Sequence, residues 1–316
     1  GGSTGLTLFL YDLTTRKQTT IGRAGTAAER LNDSRFAITD IAVLTQTADT
    51  AQLLISFPRY NSARNCVTVV VHSYQANFGP QPSLKRGKLW FQSNPCVPVS
   101  AVQHAAGRME VIDAKNAYLT IGDLGYPEIG NKAKRGTLGS VMQISANKIT
   151  QISSGHRNAQ GILLIGKDLY TSEHGPRGGD ELNLIQQGID YGWPTVTYGE
   201  KYSFGDYVKP TNPESHNGFR KPLTYWVPSV APTELIQLPA ESAWGQWSSS
   251  IVIGTLREES LIFIQMKNKR VVGQMQTVNV DERIRDLDIT KDGSIIATTD
   301  SGKLLLISRK LLANSP

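Results

Sequence analysis

The sequence has little of what marks several protein classes. It contains only two cysteines and five histidines in 316 residues, and no run of Lys and Arg resembles a nucleic-acid-binding stripe. No apolar run approaches the roughly 18 residues that a membrane span needs. The net charge of +6 is spread along the chain and would steer anions only weakly. We therefore expect neither nucleic-acid binding nor a membrane span.

Familiar catalytic motifs are also missing. The chain has no G-x-S-x-G nucleophile motif, no H-E-x-x-H zinc motif and no glycine-rich phosphate loop. The two cysteines, Cys66 and Cys96, leave two alternatives open: two buried thiols, or one disulfide, which would indicate an oxidising compartment. Because 39% of the residues are hydrophobic, the chain can form an ample core, and disorder is not expected.

Short β-branched and aliphatic runs separated by polar turns dominate the chain, whereas helix-period patterns are scarce. Six segments share the order strand, polar turn, strand: residues 7–21, 38–57, 108–123, 161–173, 249–265 and 287–308. Six repeated units predict an all-β fold, a six-bladed β-propeller with four-stranded antiparallel blades. A β-sandwich and a β-helix are the alternatives.

The sequence contains no linker-like tract, so we predict a single domain over residues 1–316. Within it, residues at about 174–222 depart from the repeat and are rich in Gly, Pro, Tyr and Trp. Irregular segments of this length are more often functional than decorative. We therefore interpret this stretch as a functional insertion in the propeller.

His104 and Asp123 are candidates for acid–base chemistry. His104 precedes a predicted hairpin, and Asp123 ends the return strand of that hairpin. If the hairpin folds back, the carboxylate can fix the imidazole tautomer and make the other ring nitrogen a better base. The alternative is a loop histidine beside an unrelated turn aspartate.

Several arginines indicate a ligand that carries more than one carboxylate. Arg157 and Asn158 precede a predicted strand, and Arg283 and Arg285 lie two residues apart on one strand face. Two arginines on one face repel each other unless an anion or an acid lies between them. The alternative is a solvated edge strand.

Together these motifs resemble the soluble sugar dehydrogenases that use pyrroloquinoline quinone. The resemblance runs from about residue 38 to the end and is carried by QHAAGR (103–108), GHRNAQG (155–161), TSEHGPRGGDELNLI (171–185), DYGWPTVTYGEKY (190–202) and ERIRDL (282–287). It implies a six-bladed propeller, in agreement with the repeat pattern. It also implies an enzyme that oxidises the anomeric carbon of aldoses to lactones by hydride transfer to calcium-bound quinone.

The resemblance further implies a role for each candidate residue. His104 would take the proton from the anomeric hydroxyl, and Asp123 would orient His104. The implied sets are, for catalysis, His104, Asp123 and Arg157; for cofactor binding, Arg157, Asn158, His174, Arg257, Arg283 and Arg285; and for calcium, the carbonyls of Gly175 and Pro176 with Asp180 on the same loop.

The chain begins within what the family has as its first blade, so that blade is expected to be incomplete or to need upstream sequence. The expected partners are an aldose substrate and an external electron acceptor, and the protein is expected to be a periplasmic or secreted monomer or homodimer. Two alternatives stay open. One is a catalytically inactive propeller that binds a saccharide or a protein, and the other is a calcium-stabilised module of a larger secreted protein.

Overall fold

The computed structural model describes residues 5–101, 103–203, 208–241 and 243–309. In these residues the secondary structure consists of β-strands and three short 3₁₀ turns, at Ala27–Glu29, Val99–Ala101 and Gly245–Trp247. The all-β prediction is therefore confirmed. Within the described ranges, no helix has the length and apolar character that crossing a bilayer requires.

The chain divides into two compact units, and neither is one continuous stretch. The first contains residues up to Ala159 together with Gln186–Thr195 and Ser203–Thr211. The second contains Gln160–Ile185, Val196–Tyr202 and the chain from Asn212 onward. The single domain over 1–316 stays a prediction.

The first unit holds a hairpin and two blades. The hairpin pairs β1 (Thr7–Asp12) with β2 (Lys17–Arg23). One blade is formed by β3 (Asp40–Gln46), β4 (Thr50–Asn61), β5 (Cys66–Asn77) and β6 (Ser83–Gln92), with β7 (Val97–Pro98) paired to β5. The other blade is formed by β8 (Ala106–Asp113), β9 (Asn116–Ile121), β10 (Ser140–Ser145) and β11 (Ile149–Ser154).

The second unit holds three blades and a short parallel strand pair. Its first blade has the order β12 (Ala159–Ile165), β13 (Asp168–Glu173), β14 (Asp180–Ile185) and β17 (Thr224–Trp226), and β12 starts at the last residue of the first unit. The parallel pair is β15 (Val196–Thr197) and β16 (Asn212–Pro213). The remaining blades are β18 (Pro232–Gln237), β19 (Ile251–Thr255), β20 (Ser260–Lys267) and β21 (Arg270–Asn279), and then β22 (Ile284–Ile289), β23 (Ile295–Thr299) and β24 (Leu304–Ile307).

The prediction of six blades is wrong, because the described residues form five. In the described ranges the segment predicted as the first blade forms only the β1–β2 hairpin, and neither strand pairs with a third strand there. Within these two strands only Leu8 and Ile21 are buried, and two strands with so little apolar burial do not make a blade. Four strands per blade is also too regular: β7 adds a fifth strand to the first blade, and the last has three.

Alternating side chains build the core of each unit. In the first unit Val67, Val69 and Val71 of β5 are fully buried and pack against Leu119 and Ile121 of β9. In the second, Ile251 and Ile253 of β19 pack with Ile262 and Ile264 of β20, and these four isoleucines are buried. These β-branched residues suit strands whose two faces are both covered.

The cysteines form a disulfide, which decides between the two alternatives left open by the sequence. Cys66 is the first residue of β5, and Cys96 precedes β7, which pairs with that end of β5. The strand pairing brings the two Cα atoms to 5.6 Å, and the sulfur atoms are bonded at 1.99 Å.

Candidate active site

One glycine of the first unit allows His104, Asp123 and Arg157 to converge. A Cβ on Gly122 would lie 1.7 Å from the carbonyl oxygen of His104 and 3.2 Å from that of Arg157, so a side chain there would displace both segments. The backbone N–H of Asp123 donates to the Arg157 carbonyl oxygen (2.8 Å). The backbone segments that carry the three side chains therefore pack against one another, although they lie far apart in sequence.

His104 and Asp123 form a hydrogen-bonded pair. The His104 Nδ1 atom lies 2.9 Å from Oδ1 of Asp123, a carboxylate that is 1% exposed and also accepts from the backbone N–H of Gly125 (2.8 Å). Burial by itself would raise the pKa of Asp123, but attraction to His104 and Arg157 and these hydrogen bonds hold the pKa below its usual value. A charged Asp123 can only accept, so His104 donates from Nδ1, and Nε2 is the ring nitrogen left for other contacts.

Arg157 faces that second nitrogen. Its Nη2 atom lies 3.1 Å from His104 Nε2, and the guanidinium lies 5.4 Å from the ring centroid of Trp193. Both Arg157 and its neighbour Asn158 are buried. Because a guanidinium can only donate, this contact requires Nε2 to be unprotonated. The geometry thus gives a base with one nitrogen held by an acid and the other turned toward a cation.

In the second unit, Asp180 organises the loop between β13 and β14. Its Oδ1 accepts from the N–H of Gly175 (3.0 Å), and its Oδ2 accepts from the Ser229 hydroxyl (2.6 Å) and the N–H groups of Val230 and Ala231 (2.8 Å each). The carboxylate is 1% exposed. It therefore ties this loop to the segment that leads into β18.

The loop carbonyls are held from a second direction. The Tyr202 hydroxyl donates to the carbonyl oxygen of Pro176 (2.8 Å). Gly178 and Gly179 take φ values of +76° and +68°, and a Cβ on Gly179 would lie 2.1 Å from the backbone nitrogen of Gly199. Glycine is therefore required at Gly179 both by its backbone conformation and by the close approach.

The predicted calcium ligands fit a metal ion only in part. Calcium takes six to eight oxygen ligands, and the carbonyl oxygens of Gly175 and Pro176 are of this type. Asp180 does not fit, since its two oxygens already accept four hydrogen bonds. Across the described part of the chain, no group of three or more His, Cys, Asp or Glu side chains could hold a metal ion.

Arg283 and Arg285 share one acid, Asp300. Arg283 Nε lies 2.8 Å from Oδ2 of Asp300, Arg285 Nη2 lies 3.0 Å from the same oxygen, and Arg285 Nε contacts Oδ1. Partial burial would raise the pKa of Asp300, but the two arginines hold it below its usual value. The guanidinium side chains are 46% and 47% exposed, so they keep open faces for a further anion.

The other predicted residues of the second unit join the same network. His174 Nε2 donates to the carbonyl oxygen of Pro232 (2.7 Å). Arg257 is exposed, and its backbone N–H donates to the carbonyl oxygen of Val230, next to the groups that bind Asp180. The Arg283 Nη1 atom donates to the carbonyl oxygen of Leu256 (3.0 Å).

Three features of these sites escaped sequence reasoning: Trp193, Asp300 and the buried pair of Glu181 and His216. His216 Nε2 lies 2.8 Å from Glu181 Oε1, and burial raises the pKa of Glu181 although His216 opposes this. Trp193 lies inside a motif quoted above. An acid between the two arginines was foreseeable in kind, since like charges on one face need a counterion, but its position was not.

Comparison with known proteins gives a family and a fold. A sequence model described as Glucose / Sorbosone dehydrogenase matches residues 25–307. The aldose sugar dehydrogenase YliI of Escherichia coli (strain K12) is 35% identical over 162 residues, which cover 49% of this chain and 43% of that protein. The alignment thus spans less than half of the relative.

Solved structures are similar over nearly the whole chain. A glucose dehydrogenase crystal structure superposes with a TM-score of 0.82 at 23% identity, covering 98% of this chain and 94% of the other. The PQQ-bound form of an aldose sugar dehydrogenase from Streptomyces coelicolor gives 0.69 at 21% identity, covering 94% and 83%. At these identities the likeness shows the fold alone.

Proposed function

The chain belongs to the glucose/sorbosone dehydrogenase family, and from this premise we propose that it oxidises the anomeric carbon of aldose sugars to lactones with pyrroloquinoline quinone as cofactor. The observation that carries the proposal is the His104–Asp123 pair with Arg157 at the second imidazole nitrogen. When bound, the quinone would accept the hydride that leaves the sugar C1, and an external acceptor would later reoxidise it.

His104 is the proposed general base. Its Nε2 lone pair takes the proton of the anomeric hydroxyl while the C1 hydride leaves, so the sugar loses two electrons and two hydrogens and becomes a lactone. Asp123 stabilises the imidazolium that forms, because the Nδ1 proton already points at a buried carboxylate. The Arg157 guanidinium, which contacts Nε2, would also donate to the entering hydroxyl of the sugar. Its positive charge would polarise the oxygen atoms next to it.

Arg283 and Arg285 are proposed to hold the cofactor carboxylates. The two guanidiniums face one Asp300, so the cluster carries a net positive charge with exposed donor faces. This charge suits an anionic quinone. Arg257, Asn158 and His174 are proposed as further cofactor contacts.

Calcium enters the proposal only through the carbonyl oxygens of Gly175 and Pro176. These two groups would have to be joined by oxygen atoms of a bound ligand or by water, since Asp180 is occupied by its own donors. Asp180 keeps the role of shaping the loop.

We also propose a periplasmic or secreted location and a monomer or homodimer. The Cys66–Cys96 disulfide supports the location, because such bonds persist in oxidising compartments.

One experiment tests the proposed function. The purified chain is loaded with pyrroloquinoline quinone with and without calcium, and dye reduction is followed with a panel of aldoses. We expect turnover in wild type, and in His104→Ala we expect cofactor binding to persist while turnover falls by about 10²-fold or more. Absence of both cofactor binding and dye reduction would overturn the proposal. Stabilisation by calcium without cofactor binding would favour the structural module instead.

A further inference from the structure

We propose that Trp193 is a positioning residue for the base: its indole N–H holds Asp123, and its ring face holds Arg157. This inference rests on the proposed function for its kinetic part, because it concerns the same His104 base. Its structural part concerns only contacts within the first unit and can be tested without cofactor or sugar.

The N–H contact fixes the second oxygen of the carboxylate. Trp193 Nε1 donates to Oδ2 of Asp123 (2.9 Å), whereas His104 Nδ1 and the Gly125 N–H bind Oδ1. With one donor on Oδ2, the carboxylate plane cannot rotate about its bond to Cβ without losing the bond to Trp193. The indole is itself 5% exposed, so water has little access to replace it.

The ring contact fixes the cation. The Arg157 guanidinium carbon lies 5.4 Å from the Trp193 ring centroid, within the range of a cation–π interaction. The same guanidinium reaches His104 Nε2 at 3.1 Å. Trp193 therefore closes a circuit of four side chains that runs from His104 to Asp123, to Trp193, to Arg157 and back to His104.

The backbone of Trp193 is hydrogen-bonded to the segment that leads into Arg157. Its N–H donates to the carbonyl oxygen of Gly155 (2.9 Å), two residues before Arg157. Gly155 has a φ of +76°, and a Cβ there would lie 2.5 Å from the nitrogen of Gly192. The loop that carries the indole and the loop that carries the guanidinium are thus pressed together.

The two functions of the indole can be separated by substitution. Trp193→Phe keeps a ring for Arg157 but removes the donor to Asp123. The buried carboxylate then accepts fewer hydrogen bonds and becomes more basic. It therefore binds the proton that it shares with His104 more strongly. Arg157 is a charged group outside the pair that faces it and lowers the pKa of Asp123. The pair should therefore take up its additional proton at higher pH.

The titration of the pair is followed by NMR of protein whose histidine imidazoles carry an isotope label. In the enzyme loaded with pyrroloquinoline quinone it is followed by the pH profile of kcat/KM. For Trp193→Phe we expect the midpoint and the acid limb to move up by about half a pH unit to one unit, with a loss of less than about tenfold on the plateau. Trp193→Leu also removes the ring and should lose about 100-fold on the plateau.

The chain offers a matched control. Trp244 is also a buried tryptophan whose Nε1 donates a hydrogen bond, in this case to the carbonyl oxygen of Gly293 (2.8 Å). Trp244→Phe removes the same kind of bond away from the pair and should lower the melting temperature without moving the titration. If Trp193→Phe does not fold, benzothienylalanine at position 193 keeps the ring volume and removes only the N–H.

Two outcomes would overturn the inference. One is a wild-type titration in a folded Trp193 variant that lacks the N–H, and the other is an equal shift in Trp244→Phe. Failure of the proposed function is seen differently, as a wild-type chain that never reduces dye. The NMR titration would still report whether Trp193 holds the pair.

Discussion

The Nδ1 atom of His104 and the Oδ1 atom of Asp123 lie 2.9 Å apart, although their sequence separation is 19. The hairpin of β8 and β9 brings them together, and the missing side chain of Gly122 lets His104 approach. The contact assigns Nδ1 to Asp123 and leaves Nε2 facing Arg157, so neutralising the acid should change the base.

Asp123→Asn should keep the shape of the pair and lose its charge. The amide can no longer stabilise an imidazolium, so we expect kcat to fall by about 10² to 10⁴-fold with cofactor affinity almost unchanged. Asp113→Asn, at the exposed end of β8, is the matched control and should leave kcat unchanged. Equal losses in both variants would argue against a special role for Asp123.

His72 should make the first unit lose stability in mild acid. Burial, followed by the charges of Arg86 and Arg59, lowers the pKa of His72 from 6.5 to about 4. Between these values His72 binds a proton in the unfolded chain but not in the folded chain. The free energy of unfolding therefore falls as the pH drops from 6.5 toward 4. The loss reaches up to about 3 kcal/mol.

The measurement is urea unfolding from pH 4 to pH 7. His72→Gln keeps an acceptor for Arg86 but cannot titrate, so its stability should depend less on pH than that of wild type. Parallel curves for the two proteins would show that His72 is not the source of the dependence.

Asp180→Asn should destabilise the protein in the absence of any metal. An amide cannot accept all the N–H groups that Asp180 now satisfies, so buried donors are left unpaired at a cost of about 2–4 kcal/mol. Asp168→Asn, which breaks an ion pair with Lys269 at the surface, should cost less than about 1 kcal/mol. A calcium ligand would behave differently, with an effect only when calcium is added.

Gly179 and Gly166 separate backbone strain from crowding. Their φ values are +68° and +63°, but a Cβ would strike Gly199 only at Gly179, and nothing lies within 4 Å at Gly166. Gly166→Ala should cost about 1–2 kcal/mol from strain alone, and Gly179→Ala distinctly more. Urea unfolding of both variants gives the comparison, and equal costs would mean that the loop yields to a methyl group.

Removing the disulfide should weaken the folded state by about 3–4 kcal/mol, because the bond closes a loop with a sequence separation of 30. The double variant Cys66→Ser, Cys96→Ser is compared with wild type in oxidising and reducing buffer. Wild type should lose stability in reducing buffer, whereas the double variant should not respond. A wild type that is indifferent to reductant would contradict this.

Local patterns in the sequence were enough to predict the strands but not how many neighbouring strands each one pairs with. In the predicted unit 287–308, a turn that contains Asp292 and Gly293 joins β22 and β23, with Gly293 at a φ of +80°, and such a hairpin depends only on neighbouring residues. The prediction of a sixth blade was wrong because a blade there needs a third strand beside β1 or β2. A local sequence pattern cannot show whether such a strand is present, and the described residues contain none.

The same distinction holds at the site. His104 and Asp123 flank one hairpin, so their proximity could be expected from the sequence. Trp193 reaches Asp123 from 70 residues away, and Asp180 meets Ser229 across 49. Such contacts depend on how separate loops pack, which periodicity and turn chemistry do not contain.

The division of the chain also constrains the order in which the protein can be made. The first compact unit includes Gln186–Thr195 and Ser203–Thr211, beyond a stretch that belongs to the second. The ribosome must therefore release the chain past residue 211 before that unit can complete its fold. Trp193 lies in the first of these two stretches, so the Asp123 carboxylate cannot bind its indole until residue 193 has been made, 70 residues after Asp123 itself.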